Sequence, residues 1–268
     1  MAKICLDAGH YGKYNQSPAN KSYYESEMNW KLHNMLKMYL EQYGFEVILT
    51  RADQAKDMAL TTRGKKAKGC DLLLSIHSNA VGDGVNENID YPVVYKPLNG
   101  SGDEIAEKLA KCIADVMVTK QNGRTSAKEG KNGDYYGVIR GATSVGVPGL
   151  ILEHSFHTNT RATNWLLHEN NLDKMAKAEA EVLAAFFSVE GEKTVNIEMS
   201  VLKKGAKGEQ VKTLQRLLMA LGYDMKSYGA DGSFGSTTDA AVRAFQKDNG
   251  LSVDGSVGQK TWNKLLKG

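Results

Sequence analysis

An α/β fold, with a mixed, mostly parallel sheet carrying helices on both faces and a small C-terminal helical domain after it, is the fold class this sequence predicts. Three observations lead there. Over residues 3–188, short strand-like apolar runs alternate with longer helical patterns, as layered α/β domains require. Over residues 189–200 the periodicity stops in a polar stretch holding Glu190, Gly191, Glu192, Lys193 and Glu198. Beyond it, helical spacing returns with a partial repeat, in which Asp-Gly-Ser-Phe-Gly-Ser-Thr-Thr ending at Thr238 is echoed by Asp-Gly-Ser-Val-Gly-Gln-Lys-Thr ending at Thr261.

In chain order, the strand expectations are residues 4–8, 45–50, 72–77, 91–95, 135–139 and 150–155. Each is a short apolar run of strand length. The helix expectations between them are 25–43, 57–68, 103–118 and 160–187. In the first helix, Met28, Leu32, Met35, Leu36, Tyr39 and Tyr43 form one apolar stripe, and Gly44 supplies a stop. His33 and His168 fall on polar helix surfaces and are expected in solvent. The segment 128–136, Gly-rich and polar, reads as a loop at a groove or simply at the surface. In the tail, Val211, Leu214, Leu218 and Leu221 share one helical face, and Ala241, Val242 and Phe245 lie on a second short helix. Each Asp-Gly repeat reads as a turn entering a helix, with Ser236 and Asp239 spaced as a capping box.

Composition narrows the function classes. A chain of 268 residues, 41% hydrophobic and 24% charged, has core enough for about two domains and too little polarity for disorder. No apolar run approaches the ~20 residues of a membrane-spanning helix. Residues 1–9 lack the basic start and long apolar stretch of a secretory leader, so neither membrane insertion nor Sec-type export is expected. A net charge of +3 is too small to indicate a nucleic-acid binder, although residues 200–268 hold five more basic than acidic groups and suit an anionic polymer. Cys5, Cys70 and Cys112 form no C-x-x-C pair and sit among apolar residues, so buried reduced thiols are expected.

The chemistry is expected at one rim of the sheet. His10 closes the first strand run, His77 the third, and Glu153 lies near the end of the last. Ligands of open parallel sheets collect beyond the carboxyl ends of the strands, where these side chains can converge. Glu25 begins the first helix on its apolar stripe, on the same rim, in a first turn whose dipole favours a carboxylate. Two imidazoles and a carboxylate are the protein side of a tetrahedral zinc site with one open position. Glu153, left unligated, is placed to take a proton from water and pass it to a leaving amine. His157 is expected on the same strand face as Glu153, where it would touch substrate or replace a ligand, with His154 opposed. Asp7 and Asn79 are expected to hydrogen-bond the ligands and orient them.

The string Asp-Ala-Gly-His ending at His10, Glu25 with Asn29, Thr50-Arg51, Ser75-Ile-His77-Ser-Asn79, and Leu152-Glu153 with Phe156 and Asn159 resemble, in order, the zinc-dependent N-acetylmuramoyl-L-alanine amidases of the Amidase_3 type. The resemblance covers residues 2–187. It implies one Zn²⁺ per chain on His10, Glu25 and His77, with Glu153 catalytic. Tyr11 departs from the family, whose members often carry a second glycine after the histidine; a changed groove rim is expected. Residues 202–266, through Val211, Leu214-Gln215, Gly222-Tyr223, Phe234-Gly235, Phe245-Gln246 and Thr261-Trp262, resemble the PG_binding_1 modules that hold enzymes on the cell wall. Tyr223, Tyr228 and Trp262 are candidate stacking surfaces for the wall, with core packing the competing role for Trp262.

The expected organisation is a zinc amidase catalytic domain at 1–188, a linker at 189–200 and a peptidoglycan-binding domain at 201–268. The expected substrate and partner is bacterial peptidoglycan. A noncatalytic wall binder, or a zinc hydrolase of another wall bond, is the competing reading. A wall enzyme without a leader resembles a phage or prophage endolysin released through a holin, the alternative being a bacterial autolysin exported by another route.

Overall fold

The computed structural model describes residues 1–188 and 201–265, so the stretch expected as a linker lies outside the described residues. The chain divides into two compact units, Met1–Glu192 and Lys193–Gly268.

The first unit holds a six-stranded sheet in the order β2-β1-β3-β8-β4-β5, made by β1 (Lys3–Ala8), β2 (Glu46–Leu49), β3 (Leu72–Asn79), β4 (Val93–Tyr95), β5 (Arg124–Ser126) and β8 (Gly149–Phe156). Strands β2, β1, β3 and β8 are parallel, while β4 runs antiparallel to β8. Such a sheet is buried on both faces, which is why its central strands read as continuous apolar runs. Leu72, Leu74, Ile76, Leu150 and Leu152 pack toward one core, together with α1 (Glu25–Gln42), α3 (Asp103–Met117) and α6 (Glu169–Phe186). Cys5, Leu73 and Ile151, one residue out of phase, pack toward a second core that includes Val138, Ile139 and Ala142. Among the described residues no helix is long and apolar enough to cross a membrane.

Several boundaries differ from expectation for visible reasons. The run expected as a strand at 135–139 instead enters helix α4 (Gly137–Thr143), preceded by a small hairpin of β6 (Glu129–Gly130) and β7 (Gly133–Asp134). Tight contact with α2 (Leu60–Lys65) decides it. A Cβ on Gly64 would lie 2.1 Å from the Val138 carbonyl oxygen, and one on Gly141 would lie 2.3 Å from that of Thr61. The helix expected at 160–187 is two, α5 (Thr160–Leu167) and α6, broken where His168 takes an extended conformation. Gly44, at φ 84°, follows the end of α1 as expected. His33 is buried, not solvated: it stacks on Trp30, and burial pushes its pKa down to about 4. Cys5 and Cys70 are buried and free, but Cys112 is only half-buried.

In the second unit, α7 (Glu209–Ala220), α8 (Ser236–Asp248) and α9 (Gln259–Leu265) surround a core of Val211, Leu214, Leu218, Phe234, Val242, Phe245 and Trp262. The sequence repeat is also a hydrogen-bond repeat. Gln215 Nε2 donates to Asp231 Oδ1 (2.8 Å) and the Ser233 carbonyl (3.1 Å), while its Oε1 accepts from Gly232 N–H (2.8 Å). Gln246 does the same with Asp254 (2.9 Å), Ser256 (3.0 Å) and Gly255 (2.9 Å). The cap of α8 is Gly235 with no side-chain bond, so Ser236 and Asp239 do not form the expected capping box; Asp239 instead pairs with Arg243 at 3.0 Å.

Candidate metal centre

β1 and β3 are adjacent parallel strands, so His10 and His77 emerge at the same end of the sheet. Glu25, the first residue of α1, reaches that end at the depth of the sheet and is 2% exposed. Its Oε2 lies 3.2 Å from His10 Nε2 and its Oε1 lies 2.9 Å from His77 Nδ1. One donor atom from each of the three residues falls within 4.8 Å of the others. A tetrahedral ion with bonds of about 2.1 Å spaces its donors about 3.4 Å apart, so small side-chain adjustments bring this set onto one cation.

The chain holds these groups firmly. His10 sits at φ 59°, a left-handed conformation that a non-glycine residue keeps only when its surroundings impose it. Here Arg51 Nη2 donates to the carbonyls of both Ala8 and His10. Asn15 Nδ2 donates to Glu25 Oε2 (2.6 Å) and lies 3.2 Å from His10 Nε2. Ser78 N–H donates to Glu25 Oε1 at 3.1 Å. Burial pushes the Glu25 carboxyl up, yet hydrogen bonds with His10 and His77 and their charges outweigh it and hold it well below the ordinary range. It is therefore the ionised, electron-donating form that faces the imidazoles.

Glu153 stands directly across the β3–β8 ladder from His77. Its Oε2 is buried and has no hydrogen-bond partner among the described residues. Burial and then the charge of Glu25 drive its pKa well above the ordinary carboxylate value. A buried carboxyl with one unpartnered oxygen and a raised pKa, beside a cluster of possible metal donors, holds its proton more tightly than an ordinary carboxylate and can serve in proton transfer.

The other expected site residues make no hydrogen bond to the three clustered side chains. Asp7 accepts from Thr50 Oγ1 (2.5 Å) and Ser75 Oγ (2.7 Å), which ties β1 to its neighbours; it makes no bond to the three clustered residues. The Asn79 side chain caps Ala80 N–H at 2.9 Å. His157 does not share a face with Glu153, because Ser155 at φ 58° breaks the strand alternation. Its Nδ1 instead meets Ser78 Oγ at 2.9 Å, and its ring stacks on Tyr23 at 5.9 Å. Trp262 is 1% exposed in the core of the second unit and presents no surface, whereas Tyr228 is 64% exposed. Tyr223 is half-buried, with its hydroxyl donating to Asp248 at 3.0 Å. Tyr11 lies at the rim, 42% exposed, stacked 6.5 Å from Tyr14, which in turn stacks 4.8 Å from His10. Sequence reasoning missed Asn15, whose only signal was its place in a polar loop, and the role of Ser78 N–H, which leaves no mark on residue type.

Gly9 has a steric reason to lack a side chain. A Cβ there would lie 2.2 Å from His77 Cε1 and 2.3 Å from Nε2. Gly9→Ala is expected to rotate the His77 ring away and weaken zinc binding about tenfold or more, an effect of the size seen when ligand orientation is lost. A competition titration with a chromophoric chelator measures it; unchanged affinity would show that the ring has room to move.

Residues 4–185 match the family model described as N-acetylmuramoyl-L-alanine amidase (Amidase_3), and residues 207–265 match that of a peptidoglycan binding domain (PG_binding_1). The chain is 28% identical over 192 residues to the N-acetylmuramoyl-L-alanine amidase CwlM of Bacillus licheniformis, covering 70% of each protein. It is 52% identical over 66 residues to CwlL of the same organism, which is 25% of this chain but only 18% of CwlL. A further relative from that organism, 40% identical over 127 residues, is covered over 34% of its length. Among solved structures, the catalytic domain of CwlV from Bacillus (Paenibacillus) polymyxa var. colistinus superposes with a TM-score of 0.59 at 23% identity, over 70% of this chain and 99% of that one. An N-acetylmuramoyl-L-alanine amidase from Clostridium difficile 630 gives 0.60 at 21%, over 71% and 98%. At these identities the structures establish a shared fold.

Proposed function

Because the chain belongs to the N-acetylmuramoyl-L-alanine amidase family of the Amidase_3 type, we propose that it is a peptidoglycan hydrolase. The bond cut is the amide between the lactyl group of N-acetylmuramic acid and L-alanine of the stem peptide. Residues 1–188 form the catalytic domain, 189–200 the linker and 201–268 the wall-binding domain, with one zinc ion per chain on His10, Glu25 and His77. The observation that carries this reading is the convergence of those three donors within 4.8 Å beside Glu153 Oε2, which has no hydrogen-bond partner among the described residues.

His10, Glu25 and His77 would hold the zinc, which would supply Lewis-acid chemistry for the amide carbonyl and lower the pKa of a water toward about 7. The remaining work belongs to the chain. Glu153 Oε2 takes the proton of the attacking water and returns it to the departing alanine nitrogen. Ser78 N–H and Asn15 keep the Glu25 carboxylate aimed at the cluster. In the second unit, exposed Tyr228 is the aromatic surface offered to the wall, while buried Trp262 serves the core.

Digestion of purified cell wall, followed by mass and end-group analysis, tests the assignment. New L-alanine amino ends are expected. New reducing sugar would indicate a glycosidase, other amino ends a peptidase, and no release a wall binder without turnover.

A further inference from the structure

Behind the metal centre lies a buried pair that the chemistry above does not use. His154 on β8 and Glu179 on α6 are both fully buried, with Nε2 and Oε1 2.8 Å apart. The other ring nitrogen, Nδ1, faces two carbonyl oxygens, those of His77 (3.0 Å) and Leu152 (3.1 Å). Both are acceptors only, so Nδ1 carries the hydrogen and donates. Nε2 then meets a carboxylate oxygen, and a proton must lie between them whichever group owns it. The ring orientation is therefore fixed from both ends.

The carbonyl of His77 belongs to the same peptide unit as the N–H of Ser78, and that N–H donates to Glu25 Oε1 at 3.1 Å. One rigid, planar group thus has its oxygen held by His154 and its hydrogen held by Glu25. The register shift between His77 and Asn79 in the β3–β8 ladder falls at this peptide, where regular strand pairing does not fix its tilt. We infer that His154, oriented by Glu179, is a positioning residue for the metal centre, acting through the His77–Ser78 peptide to aim the His77 ring and the Glu25 carboxylate at one point. This inference rests on the zinc assignment proposed above.

Two amide substitutions separate it from a role in filling space. In His154→Asn the side-chain NH₂ stands near the Nδ1 position and still donates to His77. In His154→Gln the amide reaches toward Glu179 and leaves that carbonyl unpaired. Zinc affinity of the full-length chain, measured by chelator competition alongside thermal melting, is the readout. The expected result is affinity within about threefold of wild type for His154→Asn and a 10–100-fold loss for His154→Gln, the range for disturbed partners of metal ligands. Equal affinity in the two folded variants would overturn the inference, and so would failure of both to fold, which would make the pair a determinant of the fold. Absence of zinc binding by the wild-type chain is a separate result and would remove the metal assignment itself.

Discussion

Glu153→Gln is expected to lower turnover on purified peptidoglycan by about 10²–10⁴-fold, the contribution of a positioned general acid and base. The substitution is nearly isosteric, so His77, its neighbour across the ladder, keeps its place. What is lost is the ability of the buried, unpartnered Oε2 to accept a proton. Because Glu153 is not one of the three donors, zinc affinity should stay within a few-fold of wild type. Parallel measurement of kcat and of zinc binding by chelator competition separates a proton carrier from a ligand. Retained turnover would remove Glu153 from the chemistry, and loss of zinc with loss of turnover would make it a ligand.

Stripping the metal should have an effect at least as large. Zinc is asked to supply several kcal/mol of charge stabilisation in the transition state, which corresponds to at least about a hundredfold in rate. Dialysis against a chelator is therefore expected to reduce release of wall fragments to background, with recovery on adding one equivalent of zinc. His77→Ala should be inactive in the same assay and should not recover with zinc. That variant leaves Glu25 its contacts with Asn15 and Ser78 N–H, so the fold around the site has support without the ring. Full activity of the chelated protein would show that hydrolysis proceeds without the metal.

The side chains that meet at the site were readable in the sequence because polar residues that end apolar strand runs, or begin an amphipathic helix, stand out against their surroundings. His10, His77, Glu25 and Glu153 all have that signature, and the strand order together with the start of α1 brings them to one rim. The groups that hold them were less readable. Asn15 acts from an irregular loop, and the His77–Ser78 peptide acts through backbone atoms that every sequence has. Glu179 meets His154 from 25 positions further along the chain, on a helix whose apolar pattern does not mark a carboxylate as a partner. His33 shows the opposite error, because Lys31 and Asn34 flank it and suggest solvent, while Trp30 and the core cover it. The Tyr135–Ile139 segment misled because a short apolar run suits a strand or a helix, and the close approach of Gly64 and Gly141 that selects α4 is a tertiary event. In the tail, the repeat was visible as Asp-Gly turns, but its centre is the buried amide of Gln215 and Gln246, which lie outside the echoed strings.

The account stands on a single cation shared by three residues distant in sequence. Anomalous diffraction at the zinc edge, from crystals of the full-length chain grown with one equivalent of zinc, addresses it most directly. The expected map has one strong peak bonded to a nitrogen of His10, a nitrogen of His77 and a carboxylate oxygen of Glu25, with Glu153 close by and unbonded. A peak lacking any of those three, or no peak in protein that still cleaves peptidoglycan, would contradict it.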